Sequence, residues 1–145
     1  MHKITIALLA MLGSALTGCA SDKGQDAPVP VLHKPADLFS VELLGGGHSD
    51  LQDDLDAGRP VALVFWQAWC GSCVAEAPAV QAAYQAYGKR MRIVGVVSGP
   101  DQSVDEGKLN QQILRLGLDY DQVRDRDLSL TKHFGVEATP TIVIL

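Results

Sequence analysis

The sequence predicts an α/β domain built on a mixed, mostly parallel sheet flanked by helices. Three observations carry that expectation. Two apolar runs, "PVALVFW" (60–66) and "MRIVGVVSG" (91–99), lack polar alternation, as strands buried on both faces do. Each is followed by a stretch of helical period, and strands that alternate with helices imply crossovers and parallel pairing. At 145 residues the chain is long enough for one domain with a real core and too short for two ordinary ones.

The elements follow in order. "DLFSVELLGGGHSDLQDDL" (37–55) starts as an alternating strand and turns at Gly45 to Gly47. It then enters a short helix that Ser49 or Asp50 could cap. After the strand at 60–66, "VAEAPAVQAAYQAYGKR" (74–90) places Ala, Val and Tyr at helical spacing and stops at Gly88. Pro78 falls inside it and is expected to kink it. The strand at 91–99 leads to "SVDEGKLNQQILRLG" (103–117), which opens on a capping pattern from Ser103 to Glu106. Leu109, Ile113, Leu114 and Leu116 are its apolar side. "DYDQVRD" (119–125) is a short strand, "LSLTKHFG" (128–135) a short helix ending at Gly135, and "TPTIVIL" (139–145) a last strand. No internal repeat is visible.

Composition narrows the function. Hydrophobic residues make up 47% and charged residues 20%, a globular balance, and the formal charge is −5. There is no basic run and no alternation of basic and aromatic residues, so nucleic acid is not an expected partner. The N-terminus has the form of an export signal. A basic "MHK" precedes "ITIALLAMLGSAL", which is too short for a comfortable membrane span. "LTGC", ending at Cys19, resembles the lipobox of bacterial lipoproteins, which implies cleavage before Cys19 and lipid on its thiol. An ordinary signal peptide or a buried apolar helix is the plainer alternative. The expected organisation is a lipoprotein signal peptide over 1–18, a tether over 19–36 with Pro28, Pro30 and Pro35, and the folded domain over 37–145. Roughly sixteen extended tether residues at ~3.1 Å each would reach about 50 Å from an anchor.

An exported protein works where disulfides persist. With Cys19 acylated, only Cys70 and Cys73 of "FWQAWCGSC" (65–73) remain as thiols. A zinc site usually needs four ligands in paired clusters, and here there is one C-x-x-C, with His33, His48 and His133 at no ligand spacing, so no metal is expected. A purely structural disulfide closing so small a loop would add little stability. Redox exchange accounts for more. The pair sits where a buried strand gives way to a helix, so Cys70 falls at a helix N-terminus, whose free N–H groups favour a thiolate. A thiolate is the species that attacks a disulfide, and Cys73, one turn deeper on the same face, can resolve the mixed product.

"FWQAWCGSC" together with "FGVEATPT" (134–141) resembles the thioredoxin superfamily, and within it the TlpA/ResA-like branch of membrane-attached thiol–disulfide oxidoreductases. The similarity runs from about Phe39 to the end and includes the helix-and-strand insertion at 103–123. It implies a thioredoxin-like fold with Cys70 as attacking and Cys73 as resolving cysteine. It also implies Trp69 flanking the site, and Pro140 beside the disulfide after a cis bond from Thr139, whose backbone would pair with an extended substrate. Two departures stand out. Thioredoxins carry a buried Asp six residues before the first Cys, and Val64 occupies that place. Glu76, where many TlpA/ResA-like proteins also have Glu, is then the nearest acid in sequence, and a half-buried carboxylate there could exchange protons with Cys73. The pair encloses Gly71 and Ser72 rather than the Pro or His often found between such cysteines, which leaves the redox poise open. Related folds continue after the "TPT" strand with an antiparallel strand and a closing helix. The chain is therefore expected to be a shortened domain lacking both, with "TIVIL" as an exposed apolar edge prone to self-association.

The expected function is disulfide exchange on cysteines of exported proteins, in the reducing direction, with a membrane thiol donor to reset the enzyme and no cofactor beyond its own cysteines. A copper chaperone of Sco-like type is the non-enzyme alternative; those proteins space their cysteines by three and add a distal His. A thiol peroxidase of redoxin type is the other, but its P-x-x-x-T-x-x-C run is missing here. Other candidates have plainer explanations. His133 lies on a short amphipathic helix, Asp53, Asp54 and Asp56 form a solvated helix start, Gly45 to Gly47 form a turn, and Tyr84 and Tyr87 face the core or its edge. The expected site is the cell envelope, on the periplasmic side. Ala20 after the lipidated cysteine leans toward the outer membrane in a Gram-negative host. Cys19→Ser should move the protein from the membrane to the soluble fraction, since each buried acyl CH₂ contributes ~0.8 kcal/mol. A mature protein whose mass shows an unmodified Cys19 would end the lipidation reading.

Overall fold

The structure, a computed structural model, describes residues 40–145; Cys19, the leader, the tether and residues 37–39 lie outside the described residues. Ten elements follow in order: β1 (Ser40–Glu42), β2 (His48–Asp50), α1 (Leu51–Asp56), β3 (Val61–Trp66), α2 (Gly71–Tyr87), β4 (Arg92–Ser98), α3 (Glu106–Leu116), β5 (Asp121–Asp125), α4 (Ser129–His133) and β6 (Thr141–Ile144). Four strands form one sheet in the order β5-β4-β3-β6. β3 pairs parallel with β4, and β4 with β5, while β6 runs antiparallel to β3. The expected mixed, mostly parallel sheet is therefore present.

The unbroken apolar run of β3 has a direct structural reading. All six of its residues are buried. Because successive side chains alternate between faces, Ala62, Val64 and Trp66 join one core with Cys73, Ala77, Val80 and Leu109, while Val61, Leu63 and Phe65 join the other with Leu51, Val96 and Leu130. The first core lies under α2 and α3, the second under α1 and α4. Burying each large apolar side chain contributes ~1.5–3 kcal/mol, so the central strand is the main hydrophobic anchor of the fold. Phe65 adds an edge-on contact with Phe134 at 6.3 Å between ring centres.

Several local expectations need correction. The chain does not pass from the glycine turn straight into a helix: His48–Asp50 first pairs back on Ser40–Glu42 as an antiparallel hairpin. Gly45, Gly46 and Gly47 all hold φ near +100°, a conformation that reverses the chain without a Cβ clash, so the next residues are delivered alongside β1. Asp50 is the cap of α1, accepting from Gln52 N at 2.9 Å. The hairpin sits at the β5 edge, where Leu44 N donates to Gln122 O at 2.7 Å and Leu43 bridges Val123. Asp54 is not a solvated carboxylate, since it bonds Arg59 at 2.9 Å and lies 3.8 Å from Arg92.

Helix α2 runs unbroken across Pro78, which lies on its exposed side. The cap of α3 is Asp105 rather than Ser103. Lys108 N donates to Asp105 Oδ1 at 3.1 Å, while Ser103 Oγ turns back to donate to Pro100 O at 2.8 Å. The capping bond holds the Asp105 carboxyl below its usual range. Leu114 is 80% exposed and not part of the apolar side. At ~100° per residue, Leu109, Ile113 and Leu116 fall within one narrow stripe, and Leu114 falls nearly opposite. At the other edge of the sheet, β6 leaves Ile142 and Ile144 exposed, while Val143 and Leu145 pack on the second core.

β5 is buried although its sequence is "DQVRD", and each polar side chain in it has partners. Asp125 accepts from Leu130 N, Thr131 N and Thr131 Oγ1, fixing the start of α4. Arg124 donates to the carbonyls of Val97 and Gly99 and pairs with Asp101. Gln122 reaches across β4 and accepts from Trp66 Nε1 at 2.9 Å. That route is open only because β4 has glycine at 95, where a Cβ would stand 2.1 Å from Gln122 Oε1. Gly95→Ala should therefore destabilise the domain by ~1–3 kcal/mol, as overpacking does. Denaturant titration of Gly95→Ala, Gln122→Ala and the double variant checks the cause. The double variant should lose clearly less than the sum of the singles, and strict additivity would place the clash elsewhere.

Candidate active site

The site begins where β3 ends. After Trp66, a turn is closed by Cys70 N donating to Gln67 O at 3.1 Å, and the Gln67 side chain ties the turn to the end of β4 by donating to Ser98 O. This places Cys70 as the N-cap of the 17-residue α2, in extended conformation, with its sulfur accepting from Cys73 N at 3.2 Å. A helix start leaves N–H groups without intrahelical partners and carries the positive end of the dipole. Cys70 is therefore set in a field that stabilises negative charge on sulfur.

Cys70 and Cys73 are joined as a disulfide with their Cα atoms 5.2 Å apart. The two sulfurs differ in access: Cys70 is partly exposed, while Cys73 is only 3% exposed and belongs to the first core. Ser72 Oγ lies 3.2 Å from Cys70 Sγ, and because a disulfide sulfur carries no proton the hydroxyl is the donor. Cys70 Sγ is 3.6 Å from the carbonyl oxygen of Thr139. The Thr139–Pro140 bond is cis, as the resemblance implied. Sequence positions 70 and 139 thus meet at one sulfur.

Glu76 lies one turn beyond Cys73 and is half-buried. It lines a small pocket with Cys73, Val64, Trp66, Leu118, Tyr120 and Pro140. Val64, standing where thioredoxins carry Asp, lines the same pocket, and among the described residues Glu76 is the one carboxylate that lines it. Tyr120 was not among the residues singled out from the sequence. Burial pushes its phenol up to about 12; a hydrogen bond from the Gln122 side chain opposes the rise and the nearby Glu76 charge adds to it. The available signal was the aromatic residue at the start of a polar strand, "DYDQ", whose position beside Cys73 only the fold reveals.

Trp69, next to Cys70 in sequence, is 60% exposed. It borders a groove of about 420 Å³ lined by Ala68, Val104, Lys108 and Gln112, among others. His133 packs edge-on against Phe134 at 4.8 Å on α4. Tyr84 stacks on Tyr120 at 5.8 Å between ring centres, while Tyr87 is exposed with Arg90 over its ring. Among the described residues no group of three or more His, Cys, Asp and Glu side chains gathers as a metal site would. The arrangement suits thiol–disulfide exchange: one reachable sulfur at a helix start, one buried sulfur behind it, a carboxylate beside the second, and a backbone carbonyl beside the first.

Known proteins share this architecture. Residues 32–145 match the AhpC/TSA family. A thiol:disulfide interchange protein DsbE of Xylella fastidiosa is 31% identical over 143 residues, covering 98% of this chain and 67% of that protein. A thioredoxin-like protein of Haemophilus influenzae is 28% identical over 117 residues, covering 80% of this chain and 65% of the relative. The chain thus spans about two thirds of the length of these curated relatives. Among solved structures, a secreted Mycobacterium tuberculosis disulfide oxidoreductase homologous to E. coli DsbE superposes with a TM-score of 0.63 at 25% identity, covering 74% of this chain and 75% of that one. With its fold and its cysteine pair in agreement, the chain belongs to the thioredoxin-like AhpC/TSA family, among relatives that are thiol–disulfide interchange proteins of the DsbE and ResA type.

Proposed function

We propose that the protein is a thiol–disulfide oxidoreductase that reduces cysteines of exported proteins. The observation that carries this reading is the unequal pair at the start of α2: Cys70 reachable and held in the field of the helix terminus, Cys73 buried behind it. In the reducing direction the Cys70 thiolate attacks a substrate disulfide, one substrate sulfur leaves as thiolate, and a mixed disulfide forms. Cys73 then gives its proton to the Glu76 carboxylate and attacks Cys70 Sγ. The second substrate sulfur leaves with the electron pair and takes a proton from solvent. The Cys70–Cys73 disulfide remains, and a thiol donor at the membrane must reduce it. On this reading the Thr139 carbonyl, 3.6 Å from Cys70 Sγ, accepts from an extended substrate backbone, and Trp69 and Pro140 contact the same substrate.

The same reading puts the domain in the cell envelope, on the periplasmic side, held by lipid on Cys19. The resemblance to membrane-attached oxidoreductases and the "LTGC" box support this reading, and Ala20 favours the outer membrane in a Gram-negative host. The comparisons do not favour the Sco-like copper chaperone or the redoxin-type peroxidase, since the relatives' names are those of disulfide interchange proteins.

Two experiments test the assignment of roles. Cys73→Ser should accumulate a mixed disulfide through Cys70 when offered a disulfide-bonded protein, whereas Cys70→Ser should trap nothing; equal trapping by both, or by neither, contradicts the roles. Glu76→Gln should slow resolution of the mixed disulfide more than its formation, within the roughly 10²–10⁴-fold range that a positioned proton acceptor contributes. Rapid-quench measurement of both steps against pH separates them, and an unchanged profile would return Glu76 to a passive place on the helix.

A further inference from the structure

β3 ends one rung before β4 does. Arg92 N donates to Pro60 O, so the even-numbered residues of β4 turn their backbone groups toward β3, and the last of them is Ser98. Trp66 stands opposite Val97, and no residue of β3 stands opposite Ser98. Ser98 is buried, so its carbonyl needs a partner from elsewhere. The Gln67 side chain supplies it: Nε2 donates to Ser98 O, in the place that a backbone N–H of a longer β3 would take. The same residue closes the cysteine turn through its backbone, since Gln67 O accepts from Cys70 N at 3.1 Å.

The point from which the turn hangs is itself fixed. Thr131 Oγ1 donates to Asp125 Oδ2 at 2.6 Å, which leaves Ser98 Oγ to donate to Thr131 Oγ1 at 2.7 Å. The carbonyls on either side of Ser98, those of Val97 and Gly99, face the other way and accept from the buried Arg124 guanidinium at 3.0 Å and 2.9 Å. The arrangement is not free of cost. With Nε2 committed to a carbonyl, Gln67 Oε1 is buried with no partner among the described residues, and a bare buried acceptor is unfavourable. One more residue of β3 would close the rung without that loss. It would also keep the chain in the sheet, at the point where the turn to Cys70 has to leave it.

Resting on the disulfide-exchange reading, we propose that Gln67 is a positioning residue for the attacking cysteine: its side chain pins the turn at 67–70 to the end of β4, and its backbone carbonyl passes that position on to Cys70. Pinned in this way, Cys70 arrives in extended conformation as the cap of α2, its sulfur 3.2 Å from Cys73 N and 3.6 Å from Thr139 O. Without the pin, the turn keeps its backbone bond but loses its tie to the sheet, and the sulfur is free to shift against the helix start. The step that Gln67 serves is the first one. The Cys70 thiolate forms a bond to one substrate sulfur, the substrate S–S bond breaks, and the other sulfur leaves as thiolate with the electron pair. Gln67 neither gains nor loses a proton, so its effect is one of geometry alone.

Gln67→Met tests this, because it keeps the length of the side chain and loses the donor. The reaction is read in the Cys73→Ser background, where an adduct on Cys70 persists. Reduced protein is mixed with hydroxyethyl disulfide, a probe too small to need a docking surface, then quenched in acid, and the adduct is counted by mass. Gln67→Met should form it about tenfold more slowly, inside the roughly 10²-fold that a misplacement of about 1 Å can cost. Gln67→Glu, isosteric and likewise unable to donate to Ser98, should slow it too and serves if the methionine variant does not fold. Arg59→Met is the control for stability alone. Arg59 donates to Asp54 at 2.9 Å and to Gly88 O at 2.7 Å, at the far ends of β3 and α2, so its loss should lower the denaturation midpoint and leave the adduct rate unchanged. Folded Gln67 variants that react at the parent rate overturn the proposal, as does an Arg59→Met protein slowed to the same degree. A parent protein that forms no adduct overturns it together with the disulfide-exchange reading.

Discussion

The hydrogen bond from Cys73 N to Cys70 Sγ organises the site. It makes the first cysteine the cap of α2, and so fixes in one stroke where the helix begins, which sulfur sits in the field of its terminus, and which sulfur lies one turn inside. The bond can form only if the chain reaches Cys70 in extended conformation at a set height above the sheet. β3 supplies that. Buried on both faces and flanked by β4 and β6, it cannot slip by one residue without turning Ala62, Val64 and Trp66 from one core to the other. Sheet register is thereby converted into sulfur position.

A second consequence of that geometry is the difference in surroundings between the two sulfurs. Cys70 faces a hydroxyl, a backbone carbonyl and solvent. Cys73 faces the first core, where charge is expensive and proton movement needs a designated acceptor. Thioredoxins place that acceptor on the strand, at the position filled here by Val64. In this chain the strand contributes hydrocarbon at that place, and the helix carries Glu76 into the pocket that Cys73 lines, where the proposed function makes it the acceptor. The polar residues of β5 fit this arrangement. Gln122 bonds the Trp66 indole and the Tyr120 backbone carbonyl in the same core, and glycine at 95 is the gap that admits it.

Much of this was legible in the sequence. The absence of alternation in "PVALVFW" announced a strand buried on both faces, and the family resemblance carried by C-x-x-C at its end with "TPT" far downstream implied the meeting of positions 70 and 139. The misreadings share a cause, which is that local patterns admit more than one partner. Ser103 and Asp105 are both acceptable caps, and only the path of the preceding loop decides between them. Leu114 has the right chemistry for the core but sits about 140° around the helix from Leu109. "HSD" has little strand propensity and becomes a strand because three glycines deliver it beside β1. Gln122, Arg124 and Asp125 stand in a short polar stretch, and each is buried because a partner outside the strand waits for it: the Trp66 indole, the carbonyls of Val97 and Gly99, and the first N–H groups of α4. Tyr120 escaped notice for the same reason, since nothing near it in sequence points to Cys73.

The central claim is that the helix start divides the cysteines into an attacking and a resolving sulfur. The most direct measurement is the alkylation rate of each thiol in the reduced protein across pH, read by mass spectrometry of peptides carrying Cys70 or Cys73. The account predicts that Cys70 is modified much faster than Cys73 at neutral pH and that its rate levels off at a lower pH. Equal rates for the two thiols, or faster modification of Cys73, would contradict it.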